Sequence, residues 1–222
     1  MIDIEKEGRH YYHDEEVGGH FFFGTDFEGD NKPFIRFPGE DDVKFVMSKW
    51  TGGAHCCFSL HIFSLGREFK EIASVDGGNY QPYFEDIDQD GIPEIRVGDD
   101  TFAYLFSSFA FSAVGDVVLK YSNQGYRVAS ELMKRSAPNL DDMGEKIKEW
   151  QIELREHPNP DGAPYALVQS VTDLVYSGNK ATALDLIDRV WFLDIPGKEY
   201  FLEEYEKALT ASKFYPEFES QL

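Results

Sequence analysis

The stretch VKFVMSKWTGGAHCCFSLHIFSL, residues 43–65, decides the fold class of this chain. Two runs rich in β-branched and aromatic residues, 43–50 and 55–65, lie on either side of a TGG segment. Runs of this composition are typical of β-strands, and glycine between them is typical of an antiparallel hairpin. The stretch therefore predicts two neighbouring strands of an antiparallel sheet.

The same pattern continues on both sides of this stretch. FIRF (34–37), EFKEIASV (68–75) and VVLKYSNQGYRVA (117–129) are further strand-like runs, and the SNQG segment predicts a hairpin turn. Residues 101–115, TFAYLFSSFAFSAVG, contain no charged residue. Two interpretations of this segment stay open, a buried strand pair or an apolar loop packed on the sheet.

Apolar residues recur at helical spacing after about residue 127. Asp141 and Asp142 are candidate first-turn acids of one helix, and Gly178 is a candidate C-cap of another. The residues expected on the apolar faces are Leu167, Val171, Leu174, Val175, Leu184, Ile187, Trp191, Phe201, Tyr205 and Leu209.

These patterns predict an α+β protein in which an antiparallel, blade- or sandwich-like sheet region is followed by a C-terminal helical region. Residues 1–33 are polar and are expected to form an N-terminal arm or an irregular first strand. We expect the β domain over residues 34–136 and the helical region over residues 137–222.

The charge balance restricts the class of partner. With 41 acidic against 21 basic residues, the net charge is −20, which repels nucleic-acid backbones and anionic lipid. No apolar run approaches the ~20 residues of a membrane span. The N-terminus lacks the basic-then-apolar order of a signal peptide, so we expect either a cytoplasmic protein or a periplasmic or extracellular one whose signal has been removed.

The segment EDIDQDGIPEI, residues 85–95, predicts a calcium loop. Calcium takes six to eight oxygen ligands, and alternating carboxylates followed by a glycine let a tightly curled chain supply them. The candidate ligands are Asp86, Asp88, Asp90, the carbonyl of Ile92, and Glu94. Val97 stands where an EF-hand has its bidentate Glu, and the flanking residues are strand-like. We therefore expect a structural Ca²⁺ between two strands and not a helix–loop–helix sensor.

The β region of the chain resembles a bacterial family with VCBS/FG-GAP-like repeats. TGGAHCC (51–57), DIDQDGIPE (86–94), DDTFAY (99–104) and VVLKYSNQGYRV (117–128) carry the resemblance, which covers roughly residues 34–130. It implies an exported protein of β-blades with calcium in the loops between strands, and the same five ligands. It implies no activity.

The chain departs from that family's pattern at residues 38–45, PGEDDVKF. A further Asp-rich calcium loop is expected there, but Glu40, Asp41 and Asp42 lack its spacing and its glycine. We therefore expect no second strong site, and a single loop does not make a propeller.

The sequence gives little support for catalysis. No GxSxG motif occurs, and the adjacent Cys56 and Cys57 are expected to be buried or half-buried thiols, because a disulfide between neighbours is rare. His10 and His13 could bind a transition metal but more often belong to a solvated polar segment. Trp50, Tyr80, Tyr83 and Phe84 could line a glycan- or peptide-binding face, although hairpin packing is their commoner role.

Three functions stay open. The favoured one is a non-enzymatic, calcium-stabilised β module that binds an unidentified protein or glycan partner or acts in assembly. The second is a hydrolase with structural calcium whose nucleophile is Cys57 or a serine in 107–112. The third is an acidic cytoplasmic protein that inhibits or engages a basic partner.

Overall fold

The computed structural model describes residues 2–6, 8–15, 19–24, 32–53, 55–122, 125–157, 162–192 and 195–222. Contacts divide the chain into two compact units. The first, unit 1, comprises residues 1–98 and 118–127, and the second, unit 2, comprises residues 99–117 and 128–222. This division differs from the predicted boundary near residue 136, since residues 99–117 belong to the unit that contains the helices.

The predicted fold class, α+β with antiparallel sheet, is confirmed. The strands are β1 (Ile2–Lys6), β2 (Arg9–Asp14), β3 (His20–Phe23), β4 (Phe34–Arg36), β5 (Val43–Trp50), β6 (Phe58–Ser64), β7 (Lys70–Gly78), β8 (Tyr83–Glu85), β9 (Glu94–Asp99), β10 (Gly115–Ser122) and β11 (Gly125–Val128). They form a β1–β2 pair, a sheet in the order β3-β5-β6-β7 with β4 also paired to β5, and a sheet in the order β11-β10-β9-β8.

The strands β5 and β6 come from the stretch that predicts the fold, and they pair along their length. In this register Val46 lies opposite Ile62 and Ser48 opposite Leu60, and all four are buried. Because successive strand residues alternate between the two faces, this register places these four side chains on the same face of the sheet. Further core residues of unit 1 are Met47, Phe63, Val75, Ile95, Val97, Val118 and Leu119.

The N-terminal residues are more regular than the sequence predicts. In place of an arm or irregular strand over residues 1–33, the described part of this range forms the β1–β2 hairpin and β3, which pairs with β5. The ring of Tyr12 packs edge-on against Phe63 at 5.3 Å. The abundance of His and acidic residues hides this hairpin in the sequence, because its outer face is polar.

The helices of unit 2 are α1 (Ser130–Met133), α2 (Gly144–Glu156), α3 (Tyr165–Tyr176), α4 (Lys180–Val190), α5 (Lys198–Ala211) and α6 (Tyr215–Glu219). Asp141 and Asp142 precede α2, in a 3-10 turn at Leu140–Met143. Gly178 has φ +80°, and its N–H donates to Val175 O after α3, as its predicted C-cap role requires.

The predicted apolar faces of α3 and α5 are confirmed as buried. The prediction for α4 is wrong at Leu184, which is exposed. This helix buries Ala183, Leu186, Ile187 and Val190, a stripe with i, i+3, i+4, i+7 spacing from which residue 184 is rotated away. Among the helices that the structure describes, none combines the length and the apolar character needed to cross a bilayer.

The uncharged segment 101–115 is mainly an apolar loop and not a strand pair. It contains turns and one 3-10 turn, Phe109–Phe111, before β10 begins at Gly115. It packs on helices of unit 2, since Phe102 stacks on Tyr205 with ring centroids 4.7 Å apart.

Candidate metal centre

The candidate calcium loop joins β8 to β9, as its strand-like flanks predict. The last residue pair of the β8–β9 hairpin places Glu85 directly opposite Glu94. Residues 86–93 therefore form a closed hairpin loop whose ends are fixed by the sheet.

Side-chain acceptors along the loop bind backbone N–H groups. The N–H of Gly91 donates to Asp86 Oδ2 at 3.2 Å, and the N–H of Ile92 donates to Asp90 Oδ1 at 2.8 Å. Gly91 has φ +84°, and a Cβ there would come within 2.9 Å of Pro38 Cγ. Glycine is required at this position, because both the backbone conformation and the space exclude a side chain.

Glu94 is the buried member of the site. It is fully buried at the start of β9, and its Oε2 accepts the N–H of Ile87 at 2.8 Å. Its other oxygen, Oε1, is buried without a hydrogen-bond partner. A buried carboxylate oxygen is costly unless a donor or a cation compensates it, so Oε1 marks a position suited to a cation.

The structure brings three of the predicted ligands together. Asp86, Asp88 and Glu94 each offer a carboxylate oxygen, and these oxygens all lie within 4.8 Å of one another. Asp90 lies beside this group and contacts the same lysine as Asp88. The place of Ile92 in the loop is fixed through its N–H, and its carbonyl stays a predicted ligand.

Lys120 of β10 is the residue of this site that the sequence does not reveal. Its Nζ donates to Asp88 Oδ2 and, at 3.0 Å, to Asp90 Oδ2, and it lies 3.8 Å from Glu94 Oε1. The signal is absent from the local pattern because Lys120 comes from a strand 32 positions beyond Asp88. It is placed there because β10 neighbours β9 in the sheet.

The electrostatics of the loop follow from burial and these hydrogen bonds. Burial raises the pKa of Glu94 above its ordinary value, with a smaller opposing effect from the N–H of Ile87. The pKa of Asp90 is lowered, first by the N–H of Ile92 and then by Lys120. The hydrogen bonds to Asp88 and Asp90 raise the pKa of Lys120.

The other acidic segment of the β region, at Glu40–Asp42, surrounds a lysine. Lys44 Nζ lies 2.5 Å from Glu40 Oε2 and 2.7 Å from Asp42 Oδ2, and its side chain is only 3% exposed. The hydrogen bond from Lys44, and then the one from Ser64, lower the pKa of Asp42 to about 2. A buried ammonium group thus already serves these two carboxylates.

We expect Lys44→Met to destabilise the protein by about 2 kcal/mol at neutral pH, because two carboxylates lose their charged donor. The folded-state pKa of Asp42, about 2, is below its ordinary 3.8, so its stabilising contribution is present above about pH 4 and is lost as pH falls toward about 2. The urea midpoints of wild type and variant should therefore converge over that range. Lys148→Met, which removes an exposed lysine paired with Glu145, is the control; a gap that stays constant with pH would contradict the assignment.

The cysteines differ from the prediction of two thiols. Cys56 and Cys57 are half-buried in the connection between β5 and β6, and the structure joins them in a disulfide. The predicted burial is confirmed, but the sulfur state is not, because a loop permits a pairing that a regular strand does not. A paired cysteine is not a free thiolate, and Cys57 as a nucleophile stays a prediction.

One of the serines considered as nucleophiles, Ser112, is held by the backbone. Ser112 Oγ accepts the N–H of Tyr104 at 2.9 Å and donates to Ser108 O at 3.2 Å. Elsewhere, Ser59 Oγ lies 3.1 Å from His61 Nε2, and His61 Nδ1 lies 2.7 Å from Glu71 Oε1. The sequence pattern does not indicate this serine–histidine–carboxylate chain, whose local signal is the i, i+2 spacing of Ser59 and His61.

The polar face of the N-terminal hairpin carries a second group with metal-ligand chemistry. His10 contacts Asp3 and Glu5, each at 3.1 Å, and all three are exposed. The hydrogen bond to Asp3, followed by the charges of Glu5 and Asp3, raises the pKa of His10. Carboxylates that pair with an imidazolium in this way account for the geometry without a metal.

The aromatic residues near the loop serve mainly in packing. Trp50 stacks on His20 at 5.3 Å, and the ring of Tyr80 lies so close to Gly98 that a Cβ there would approach it to 2.9 Å. Tyr83 is exposed beside the loop. A glycan- or peptide-binding face formed by these residues stays a prediction.

No protein-family model matches the chain, and no solved structure matches it. An uncharacterized protein of Sinorhizobium fredii is 35% identical over 82 residues, which are 36% of this chain and 13% of that protein. A probable thylakoid lumen protein of Synechocystis is 36% identical over 93 residues, which are 40% of this chain and 24% of that protein. The matches thus span less than a quarter of these relatives, and the resemblance to VCBS/FG-GAP-like proteins stays a prediction.

Proposed function

We propose that this chain carries a calcium-binding β unit in which Ca²⁺ joins the loop between β8 and β9 and has no catalytic role. The observation that carries the proposal is Glu94: a fully buried carboxylate with one oxygen lacking a hydrogen-bond partner. Glu94 also offers one carboxylate oxygen to the group of three that lie within 4.8 Å of one another. Such an arrangement favours a bound cation over a solvated acidic turn. The carboxylates of a solvated turn stay in water, whereas a buried carboxylate needs a compensating charge or donor.

The donor set favours calcium among the common metals. Asp86, Asp88, Asp90 and Glu94 supply carboxylate oxygens, and Ile92 supplies a carbonyl in the predicted shell. Calcium accepts six to eight such ligands in irregular geometry, whereas magnesium demands an octahedron and usually retains several waters. Bound calcium would supply charge compensation to the buried Glu94 and hold the loop closed.

We place the chain in a periplasmic or extracellular compartment, with binding or assembly as its role and a protein or a glycan as its partner. The support for this compartment is the Synechocystis relative, which is named a probable thylakoid lumen protein. Calcium sites of extracellular modules bind with Kd values of about 10⁻⁴–10⁻³ M, and an exposed hairpin loop is suited to that range. The net charge of −20 makes a nucleic-acid partner unfavourable.

Calcium is expected to raise the melting temperature of the protein. At a free concentration of 100 times Kd, binding to the folded state alone adds about 2.7 kcal/mol, a shift of about 5–10 °C for a chain of this size. Differential scanning calorimetry with calcium, with magnesium and with chelator measures the effect. Asp88→Asn should reduce the shift strongly, and a melting temperature that about 100 mM calcium leaves unchanged would contradict calcium binding by the wild-type protein.

A further inference from the structure

Lys120 lies where it can act on the metal site directly. Its ammonium group donates hydrogen bonds to Asp88 and Asp90 and lies 3.8 Å from the buried Glu94 Oε1. Two of these carboxylates, Asp88 and Glu94, belong to the group of three that brings its oxygens within 4.8 Å of one another. The lysine therefore contacts the same acceptors that a cation in the loop would use.

An ammonium group and a calcium ion cannot share these acceptors. Cations a few ångströms apart repel each other strongly, and a site screened from water by protein weakens that repulsion less than bulk solvent does. Each Asp88 or Asp90 oxygen that receives a hydrogen bond from Lys120 also has less capacity to coordinate a metal. Occupation of the loop by Lys120 and occupation by calcium are thus alternatives.

We propose that Lys120 is a tethered competitor of the metal, so that the loop exchanges between a lysine-filled state and a calcium-filled state. The inference rests on the proposed function, because it concerns the affinity and regulation of the same site. The lysine is carried by β10, a neighbour of the strand that bears Glu94, so it competes intramolecularly at every calcium concentration. Calcium must displace it, and the site is consequently weaker than its carboxylates alone would make it.

The exposure of Lys120 makes this exchange feasible. Its side chain is 31% exposed, so the ammonium can move from the loop into water. Lys44, by contrast, is almost fully enclosed beside Glu40 and Asp42 and is a permanent counter-ion. The acidic segments of the β region therefore differ in function: one keeps its lysine, and the other can exchange it for a metal.

The test is calcium titration by isothermal calorimetry on wild type and Lys120→Met, with Arg96→Met as the matched control. Arg96 is a cation of β9 beside the loop, and it pairs with Glu85, which is not one of the proposed ligands. We expect Lys120→Met to bind calcium at least about tenfold more tightly, because the competitor is removed, and Arg96→Met to stay within about twofold of wild type. A damaged fold cannot produce tighter binding, and Lys120→Arg, which keeps the charge, should stay close to wild type.

Each outcome of these calcium titrations either supports or overturns the competition between Lys120 and calcium. If wild type and Lys120→Met bind calcium with equal affinity, the proposed competition is overturned and the proposed calcium site is retained. Equal tightening in Lys120→Met and Arg96→Met would also overturn it, since only net charge would matter. Binding by Lys120→Met alone would support a lysine that excludes calcium from the native loop, whereas binding by neither protein would overturn both proposals.

Discussion

Glu94→Gln is expected to eliminate the calcium response while leaving the metal-free protein at least as stable as wild type. The amide removes the charge of the only fully buried carboxylate among the proposed ligands, and its oxygen can still accept the N–H of Ile87. Loss of that charge should weaken calcium binding about a hundredfold or more, because a buried carboxylate interacts with a divalent ion in a poorly screened environment. Without metal, the substitution removes a buried charge that costs free energy.

The combination of these two effects separates a metal ligand from a structural carboxylate. A carboxylate needed only for folding would lower the melting temperature when replaced, with or without calcium. Glu85→Gln is the matched control, since Glu85 lies directly opposite Glu94 in the strand pair and its side chain is 47% exposed. Calorimetric melts with calcium and with chelator measure both effects; an undiminished calcium shift in Glu94→Gln would place the metal elsewhere.

A second large effect, on stability, is expected from substitution of Asp99, whose role is structural. Asp99 is 3% exposed, and its carboxylate accepts hydrogen bonds from Tyr176 Oη at 2.6 Å, from Ser212 Oγ, and from the N–H of Thr101 at 3.1 Å. Burial raises the pKa of Tyr176, and the neighbouring Asp99 raises it further. The tyrosine therefore remains a neutral donor to the carboxylate.

Asp99→Ala is expected to destabilise the protein by about 3–5 kcal/mol, because two buried hydroxyls and one N–H lose their acceptor at once. Ser212 also accepts the N–H groups of Phe214 and Tyr215 at the start of α6, so the loss should extend to that helix. Asp99→Asn, which keeps the shape, should cost less.

Urea unfolding of these variants measures the effect. Asp116→Ala provides the control, because Asp116 belongs to the same unit, is half exposed, and pairs with Arg135 at the surface at 3.3 Å; we expect it to cost less than about 1 kcal/mol. A loss below about 1 kcal/mol in Asp99→Ala would show that the hydroxyls find other partners or water.

The parts of the fold that follow from local patterning were predictable. The alternation in residues 43–65 predicts β5 and β6, and the helical spacing of Phe201, Tyr205 and Leu209 predicts the buried face of α5. Both succeed because a strand or a helix repeats its orientation every few residues, and a single apolar face then fixes which side is buried. Leu184 shows the limit of this method of prediction. It is apolar, but it lies one position away from the buried stripe of α4 and is therefore exposed.

The candidate site was likewise predictable only in part. The spacing of Asp86, Asp88, Asp90 and Glu94 predicts a hairpin loop with converging carboxylates, and the structure brings three of them together. The burial of Glu94 could not be predicted, because it depends on the packing of β9 beside β10. The disulfide of Cys56 and Cys57 was missed for a related reason: the pattern predicts a strand there, and the structure has a loop.

The sequence by itself thus determined an α+β chain with an acidic loop of calcium-ligand spacing between two strands. Only the tertiary structure decided that Glu94 is buried with an oxygen left over, that Lys120 reaches the same carboxylates, and that Asp99 accepts from Tyr176 and Ser212. The physical reason is separation along the chain. Turn chemistry and apolar periodicity act within about ten residues, whereas Lys120 is 32 positions from Asp88 and Ser212 is 113 from Asp99, so sheet order and helix packing must first bring them together.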